Sequence, residues 1–192
     1  MNPVGIFGGT FDPPHIGHLV TAQAVLEIRK LHKIIFIPNG ISPNKKYRGG
    51  ACAQDRLNML KLSIRGIPYF EYSTLEVENP EKSYTINTLQ MLKNLYEKIE
   101  LVIGYDNLLE FRTWKEPDEI IKLVKLVVLQ RNVNSKPERK DRFYKAAAFV
   151  KTPIIEISST EIRRRVKKGL PIDYLVADKV KEYIYKFNLY KE

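Results

Sequence analysis

Apolar positions along this chain alternate between short continuous runs and runs spaced three or four apart. Val4-Gly5-Ile6-Phe7 opens as a buried strand, and 16–30 follows as a helix with Leu19, Ala22, Val25, Leu26 and Arg29 on one face. Lys33-Ile34-Ile35-Phe36-Ile37 is a second strand, stopped by Pro38-Asn39-Gly40. The pattern then predicts a helix over 54–65 with Leu57, Leu60 and Ile64 inward, an irregular strand over 70–77 and a helix over 85–98. Leu101-Val102-Ile103-Gly104 is the next strand. A helical pair over 107–123 has Pro117 in its middle, and Leu126-Val127-Val128-Leu129 is again a strand. Residues 132–142 are polar and read as an exposed loop. Ile154-Ile155-Glu156-Ile157 is expected to be the last strand, before two final helices. Strands alternating with helices, and reading as unbroken Ile/Val/Leu runs, predict a doubly wound α/β fold: a parallel sheet with helices on both faces. In such a sheet ligands bind beyond the carboxyl ends of the strands, at the switch point.

Composition narrows the partner. The chain has 192 residues, 44% hydrophobic and 28% charged, which suits one globular domain over 1–192. No apolar run reaches membrane-spanning length, and Met1 to Gly5 lack the pattern of a signal peptide. A single cysteine, Cys52, excludes an intramolecular disulfide and fits a reducing cytoplasm. The formal charge of +10 points to an anionic partner: a nucleic acid, a nucleotide or another phosphorylated molecule.

The candidate chemistry lies in segments that follow strands. In Gly8-Gly9-Thr10-Phe11-Asp12-Pro13-Pro14-His15-Ile16-Gly17-His18, the two glycines permit close ligand approach and unusual backbone angles. His15 and His18 are three apart at a helix start, so they point the same way beside open N–H groups that favour anions. This reads as a solvent-facing phosphate clamp, against the plainer alternative of a tight loop with a capping histidine. In Ile157-Ser158-Ser159-Thr160-Glu161-Ile162-Arg163, Ser158 and Glu161 have capping-box spacing. A capped helix start is also an anion site, with Ser158, Ser159 and Arg163 as ligands. Tyr84 and Thr85 open another helix, where Ser and Thr are ordinary caps. Asp106, after Gly104-Tyr105, could hold ribose hydroxyls. Trp114 lies eight residues beyond, and Lys45 sits in a basic stretch after the second strand.

His15-Ile16-Gly17-His18 resembles the H-x-G-H motif of a nucleotidyltransferase superfamily. Class I aminoacyl-tRNA synthetases share it, but their Lys-Met-Ser-Lys-Ser loop is absent here. The whole first string, Ile-Ser-Ser-Thr-x-Ile-Arg, Ser-Tyr-Thr-x-x-Thr-Leu and Gly-x-Asp with its following Trp together resemble the nicotinate-nucleotide adenylyltransferases over nearly the full chain. The resemblance implies a Rossmann-like domain that transfers AMP from ATP to nicotinate mononucleotide, giving deamido-NAD and pyrophosphate. It implies catalytic roles for His15, His18, Lys45 and Arg163. It places ATP on Gly8, Gly9, Thr10, Phe11, His15, Gly17, His18, Ile157, Ser158, Ser159 and Arg163. Tyr84, Thr85, Gly104, Asp106 and Trp114 would meet nicotinate mononucleotide, with Trp114 stacked on the ring. Mg²⁺ accompanies the ATP, held by substrate oxygens and water rather than a dedicated carboxylate cage.

The sequence departs from the family at Asn44, usually His, at Asn87, usually Asp, and at Ala177-Asp178, where a proline is usual. Nicotinamide-mononucleotide and phosphopantetheine adenylyltransferases are the alternatives within the superfamily. A basic nucleic-acid-binding module accounts for the charge but leaves the His15/His18 loop unexplained. The oligomeric state stays open, a homodimer being one option.

Overall fold

The computed structural model describes residues 2–40, 50–79, 83–130 and 141–191. Six strands form one sheet: β1 (Val4–Gly9), β2 (Lys33–Pro38), β3 (Phe70–Tyr72), β4 (Ile99–Gly104), β5 (Lys125–Gln130) and β6 (Ala148–Lys151). Their order is β3-β2-β1-β4-β5-β6 and every pairing is parallel. Eight helices accompany them among the described residues: α1 (Ile16–Ile28), α2 (Ala53–Ile64), α3 (Thr85–Lys93), α4 (Tyr105–Glu110), α5 (Pro117–Leu123), α6 (Arg142–Ala146), α7 (Ser159–Lys167) and α8 (Asp178–Lys186). The expected doubly wound α/β fold is present. None of these helices is long and apolar enough to cross a membrane.

The unbroken apolar runs are explained by burial from two sides. Ile6, Ile35, Ile37, Leu101, Ile103 and Val128 face one cluster with Leu89 of α3, Leu108 of α4 and Ile120 of α5. Phe7, Ile34, Phe36, Val102 and Val127 face the opposite cluster with Ala22 and Val25 of α1 and Leu60 of α2. A third cluster joins Met59 of α2 to Ile162 and Val166 of α7 and to Val180 and Ile184 of α8.

Several expectations need correction. Residues 154–157 pair with no strand among those described, and Ile154 is 62% exposed. The edge position belongs to β6, registered with β5 from Val127↔Ala148 onward. The helix expected over 85–98 ends at Lys93, because Asn94 caps it and the chain turns toward β4. The strand expected over 70–77 pairs only through Tyr72. The helical pair expected over 107–123 is present as α4 and α5, with Pro117 as the first residue of α5, a position where its missing N–H costs nothing. A turn of 3-10 helix over Phe111–Thr113 precedes it. Of the loop expected over 132–142, residues 132–140 lie outside the described residues. Asp141 closes it by accepting the Tyr144 N–H at 2.9 Å as the cap of α6.

Candidate active site

β1 has β2 on one side and β4 on the other, so its carboxyl end is the point where the winding reverses. The first motif leaves the sheet there. The motif is packed rather than solvent-facing: Phe11, Asp12 and His15 are 2%, 1% and 8% exposed. Gly8 and Gly9 lie within β1 and have no positive φ; the left-handed residue is Phe11, at φ 49°. Its ring folds back over Gly9, where an added Cβ would stand 2.9 Å from Phe11 Cζ. Gly9 is thus required by the packing of Phe11. A Cβ on Gly8 would meet nothing, so its open face remains available to a ligand.

His15 caps α1 in extended conformation. Its backbone N–H donates to Nδ1 of His18 at 3.1 Å, and the two rings stack with centroids 3.6 Å apart. An Nδ1 that accepts a hydrogen bond leaves the proton of the neutral ring on Nε2. His18 also meets the ring of Phe11 edge-on at 5.1 Å. Gly17 makes the stack possible, since a Cβ there would press on His15 Nδ1 at 3.0 Å.

The serine-rich helix docks on this loop. Ser158 caps α7, its Oγ accepting the Glu161 N–H at 3.1 Å. The reciprocal half of the expected capping box is absent. The Glu161 carboxylate instead receives Arg164 on both oxygens at 2.7 Å, which holds it below the usual carboxylate range. Ser159 Oγ donates to the carbonyl of Pro13 at 2.9 Å, and Arg163 Nη1 to the carbonyl of Asp12 at 2.7 Å. Ser159 and Arg163 therefore spend part of their bonding on positioning the first loop. Ile157 precedes α7, half-buried against the third cluster.

On the α3–α5 side of the sheet, a cavity of about 320 Å³ opens beside the end of β1. Gly8, Gly9 and Thr10 form one wall, Asn39 and Ile103 come from the ends of β2 and β4, and Tyr84, Thr85, Trp114 and Lys115 lie opposite. α3 starts at Thr85; the side chain of its N-cap residue Tyr84 makes no capping hydrogen bond, and Tyr84 and Thr85 both line the cavity. Trp114 packs on Phe111, ring centroids 4.9 Å apart. Gly104 caps α4; Asp106 is exposed in the first turn of that helix, and the cavity lining takes Asn107 and Glu110 instead. Glu76 also lines the cavity. Burial pushes its carboxyl above the usual range, against hydrogen bonds from Thr88 Oγ1, at 2.8 Å, and from Ser83.

The structure thus divides the sequence-predicted residues into two groups on either side of the β1 terminus. His15, His18, Ser158, Ser159 and Arg163 gather near α1 and α7; Tyr84, Thr85 and Trp114 gather around the cavity. Gly8 and Gly9 lie between. Lys45 and Asn44 lie outside the described residues, and Asn87 is in the first turn of α3. Among the described residues no three His, Cys, Asp or Glu side chains form a metal-ligating group.

Sequence reasoning overlooked two buried tethers. Asp12 Oδ1 accepts from the Ala51 N–H at 3.0 Å and the Tyr190 hydroxyl at 2.6 Å, and its Oδ2 is 3.7 Å from Arg163 Nη1. Arg56, 5% exposed, donates to the Thr10 carbonyl, Asn39 Oδ1 and the Gly40 carbonyl at 2.8–3.1 Å. The Asp before Pro13 was visible as part of a motif. Nothing local marked Arg56, because its partners come from two distant loops.

A family model described as cytidylyltransferase-like matches residues 6–165. A probable nicotinate-nucleotide adenylyltransferase of Caldicellulosiruptor saccharolyticus is 44% identical over 195 residues, covering 98% of this chain and 99% of its own. The nicotinate-nucleotide adenylyltransferase of Bacillus subtilis is 38% identical over 193 residues, with 100% of both chains covered. The fold is similar to a solved structure of nicotinic acid mononucleotide adenylyltransferase from Plasmodium falciparum, complexed with NaAD. The TM-score is 0.78 at 20% identity, covering 99% of this chain and 98% of that one.

Proposed function

Because the chain belongs to the cytidylyltransferase-like family and, within it, to the nicotinate-nucleotide adenylyltransferases, we propose that it transfers the AMP of ATP to nicotinate mononucleotide. The products are deamido-NAD and pyrophosphate. The observation that carries this reading is the two-sided arrangement at the end of β1. A ring-sized cavity bearing Trp114 lies on one side, and stacked histidines under a serine-capped helix lie on the other.

A phosphate oxygen of the mononucleotide attacks the α-phosphorus of ATP, and the bond from that phosphorus to the bridging oxygen of pyrophosphate breaks. The second pKa of a phosphate monoester is about 6, so the nucleophile is already anionic near neutral pH and needs no general base. The barrier is the approach of two anions and the charge that develops on the bridging and leaving oxygens. In this reading ATP lies along Gly8, Gly9, Thr10, the His15/His18 pair and the start of α7. His18 presents Nε2–H as a donor, and its Nδ1 is held by the His15 N–H. Arg163 is anchored through Nη1 and keeps further donors for polyphosphate. Lys45 joins them on the strength of its sequence position alone. Mg²⁺ belongs to the ATP substrate, with phosphate oxygens and water as its ligands.

The ring of the acceptor occupies the cavity against Trp114, with its carboxylate toward the N–H groups of Tyr84-Thr85, where a helix start favours negative charge. Asp106 and Gly104 are assigned to the ribose on sequence position alone, since the cavity lining takes Asn107 and Glu110 from that turn. The deciding experiment supplies ATP with nicotinate mononucleotide, nicotinamide mononucleotide or phosphopantetheine and measures pyrophosphate. Release is expected fastest with nicotinate mononucleotide; release only with another acceptor, or none, refutes the assignment.

A further inference from the structure

Lys115 was singled out by no motif. It follows Trp114 directly and is the one basic side chain in the described lining of the cavity. Its Nζ sits over the ring of Tyr84, 5.0 Å from the centroid. Tyr84 is the N-cap residue of α3, so the ammonium, the indole and the start of that helix all belong to the cavity lining. Two carboxyl groups, Glu76 and Glu110, face the same cavity, and no carboxylate among the described residues lies within ion-pair distance of Lys115. Glu76 is turned to Thr88 and Ser83, and burial raises its carboxyl above the usual range.

A cation held on an aromatic face, with no carboxylate among the described residues within ion-pair distance, at the edge of a pocket for a flat ring is suited to an anionic substituent on that ring. The helix start offers dipoles, which also accept the oxygen of an amide. The ammonium is the element of this wall that distinguishes a net charge from a neutral polar group. We propose that Lys115 is a specificity-determining residue: its ammonium is the counter-ion of the ring carboxylate and sets the preference for the acid over the amide. This rests on the acceptor assigned above.

The test measures kcat/KM for nicotinate and nicotinamide mononucleotide with the wild-type enzyme and with Lys115→Gln and Lys115→Arg, at low and high salt. Lys115→Gln should lower kcat/KM for the acid about fivefold to tenfold, between the effect of an exposed ion pair and that of a charged hydrogen bond. The change should fall in KM, and the amide should be unaffected. Lys115→Arg should restore most of the preference. The wild-type preference should shrink with added salt and that of the Gln variant should not. Equal losses on both acceptors would assign Lys115 to the shared phosphate or to folding, and no change on either would leave it outside the site; both outcomes overturn the proposal. A wild-type enzyme that uses neither acceptor overturns the acceptor assignment itself, before any variant is made.

Discussion

The hydroxyl of Tyr190 donates to Asp12 Oδ1 at 2.6 Å, linking residues 178 apart in the chain within a buried contact. The same carboxylate takes the Ala51 N–H and faces Arg163, so one side chain ties the first loop to the start of α2, to α7 and to the segment after α8. Tyr190→Phe removes one donor from a buried carboxylate. A loss of about 1.5–3 kcal/mol is expected, the scale for a hydrogen bond to a charged group. Denaturant unfolding of the two proteins measures it, and coincident midpoints would show that Ala51 and Arg163 hold Asp12 unaided.

Replacing His18 should affect both chemistry and packing. His18→Ala should slow turnover by about 10²–10³-fold, as for loss of a donor to transition-state charge. The loop is buried, and His18 accepts the His15 N–H and packs on Phe11. The variant should therefore also melt earlier. Near-native kcat would remove His18 from the reaction, and an unchanged melting temperature would contradict its structural part.

The two glycines of β1 should respond in opposite ways. Gly9→Ala drives a methyl into the ring of Phe11 and should cost about 1–3 kcal/mol of stability, as overpacking does. Gly8→Ala meets open space and should leave the unfolding midpoint in place, while raising KM because the methyl projects where a nucleotide must approach. Thermal melts and steady-state kinetics on both variants separate the cases.

Glu76 gives a pH dependence of definite sign. Its carboxyl is raised in the folded state above the 4.5 of the free side chain, chiefly by burial. Between those values the folded protein binds more protons than the unfolded one, so stability from this group is full below the lower pKa. It is lost as pH rises through the upper one. Glu76→Gln should remove that decline. The difference in unfolding free energy between the two proteins, followed upward from pH 4.5, should change in favour of the Gln variant. A flat difference would contradict the raised pKa.

The fold was most legible where a strand is covered on both faces. Val4 to Phe7, 33–37 and 126–129 have no polar interruption, and each marks its strand to within two residues. β4 begins at Ile99 and not at 101, because Glu100 reads as a loop residue. In the structure it is buried and receives Arg29 on both oxygens at 2.8 Å. Spacing alone places Arg29 on the inward face of a helix; in the structure it is the residue that caps the end of α1. It points inward to a carboxylate 71 residues away that no local pattern announces.

β6 was missed for a different reason. An edge strand pairs on one side only, and Ala148-Phe149-Val150-Lys151 is short and begins with alanine. The more apolar 154–157 lies past the sheet and is held by its approach to α7. The chemistry was easier to find than the tethers beneath it. His15, His18 and Ser158 occur in compact strings, whereas Asp12, Arg56 and Lys115 are defined by partners from other elements.

Phe11 occupies a position where two demands ask for different residues. At φ 49° the backbone favours glycine, while the space between Phe7, Phe36 and His18 calls for an aromatic ring. Relaxing the backbone empties that space, and filling it keeps the chain in an uncommon conformation. A mutational library at this site should therefore be nearly intolerant, tyrosine included, because Phe11 Cζ faces Gly9 in a buried site with no room for a hydroxyl. The narrowness would arise from architecture at a residue that need never touch phosphate.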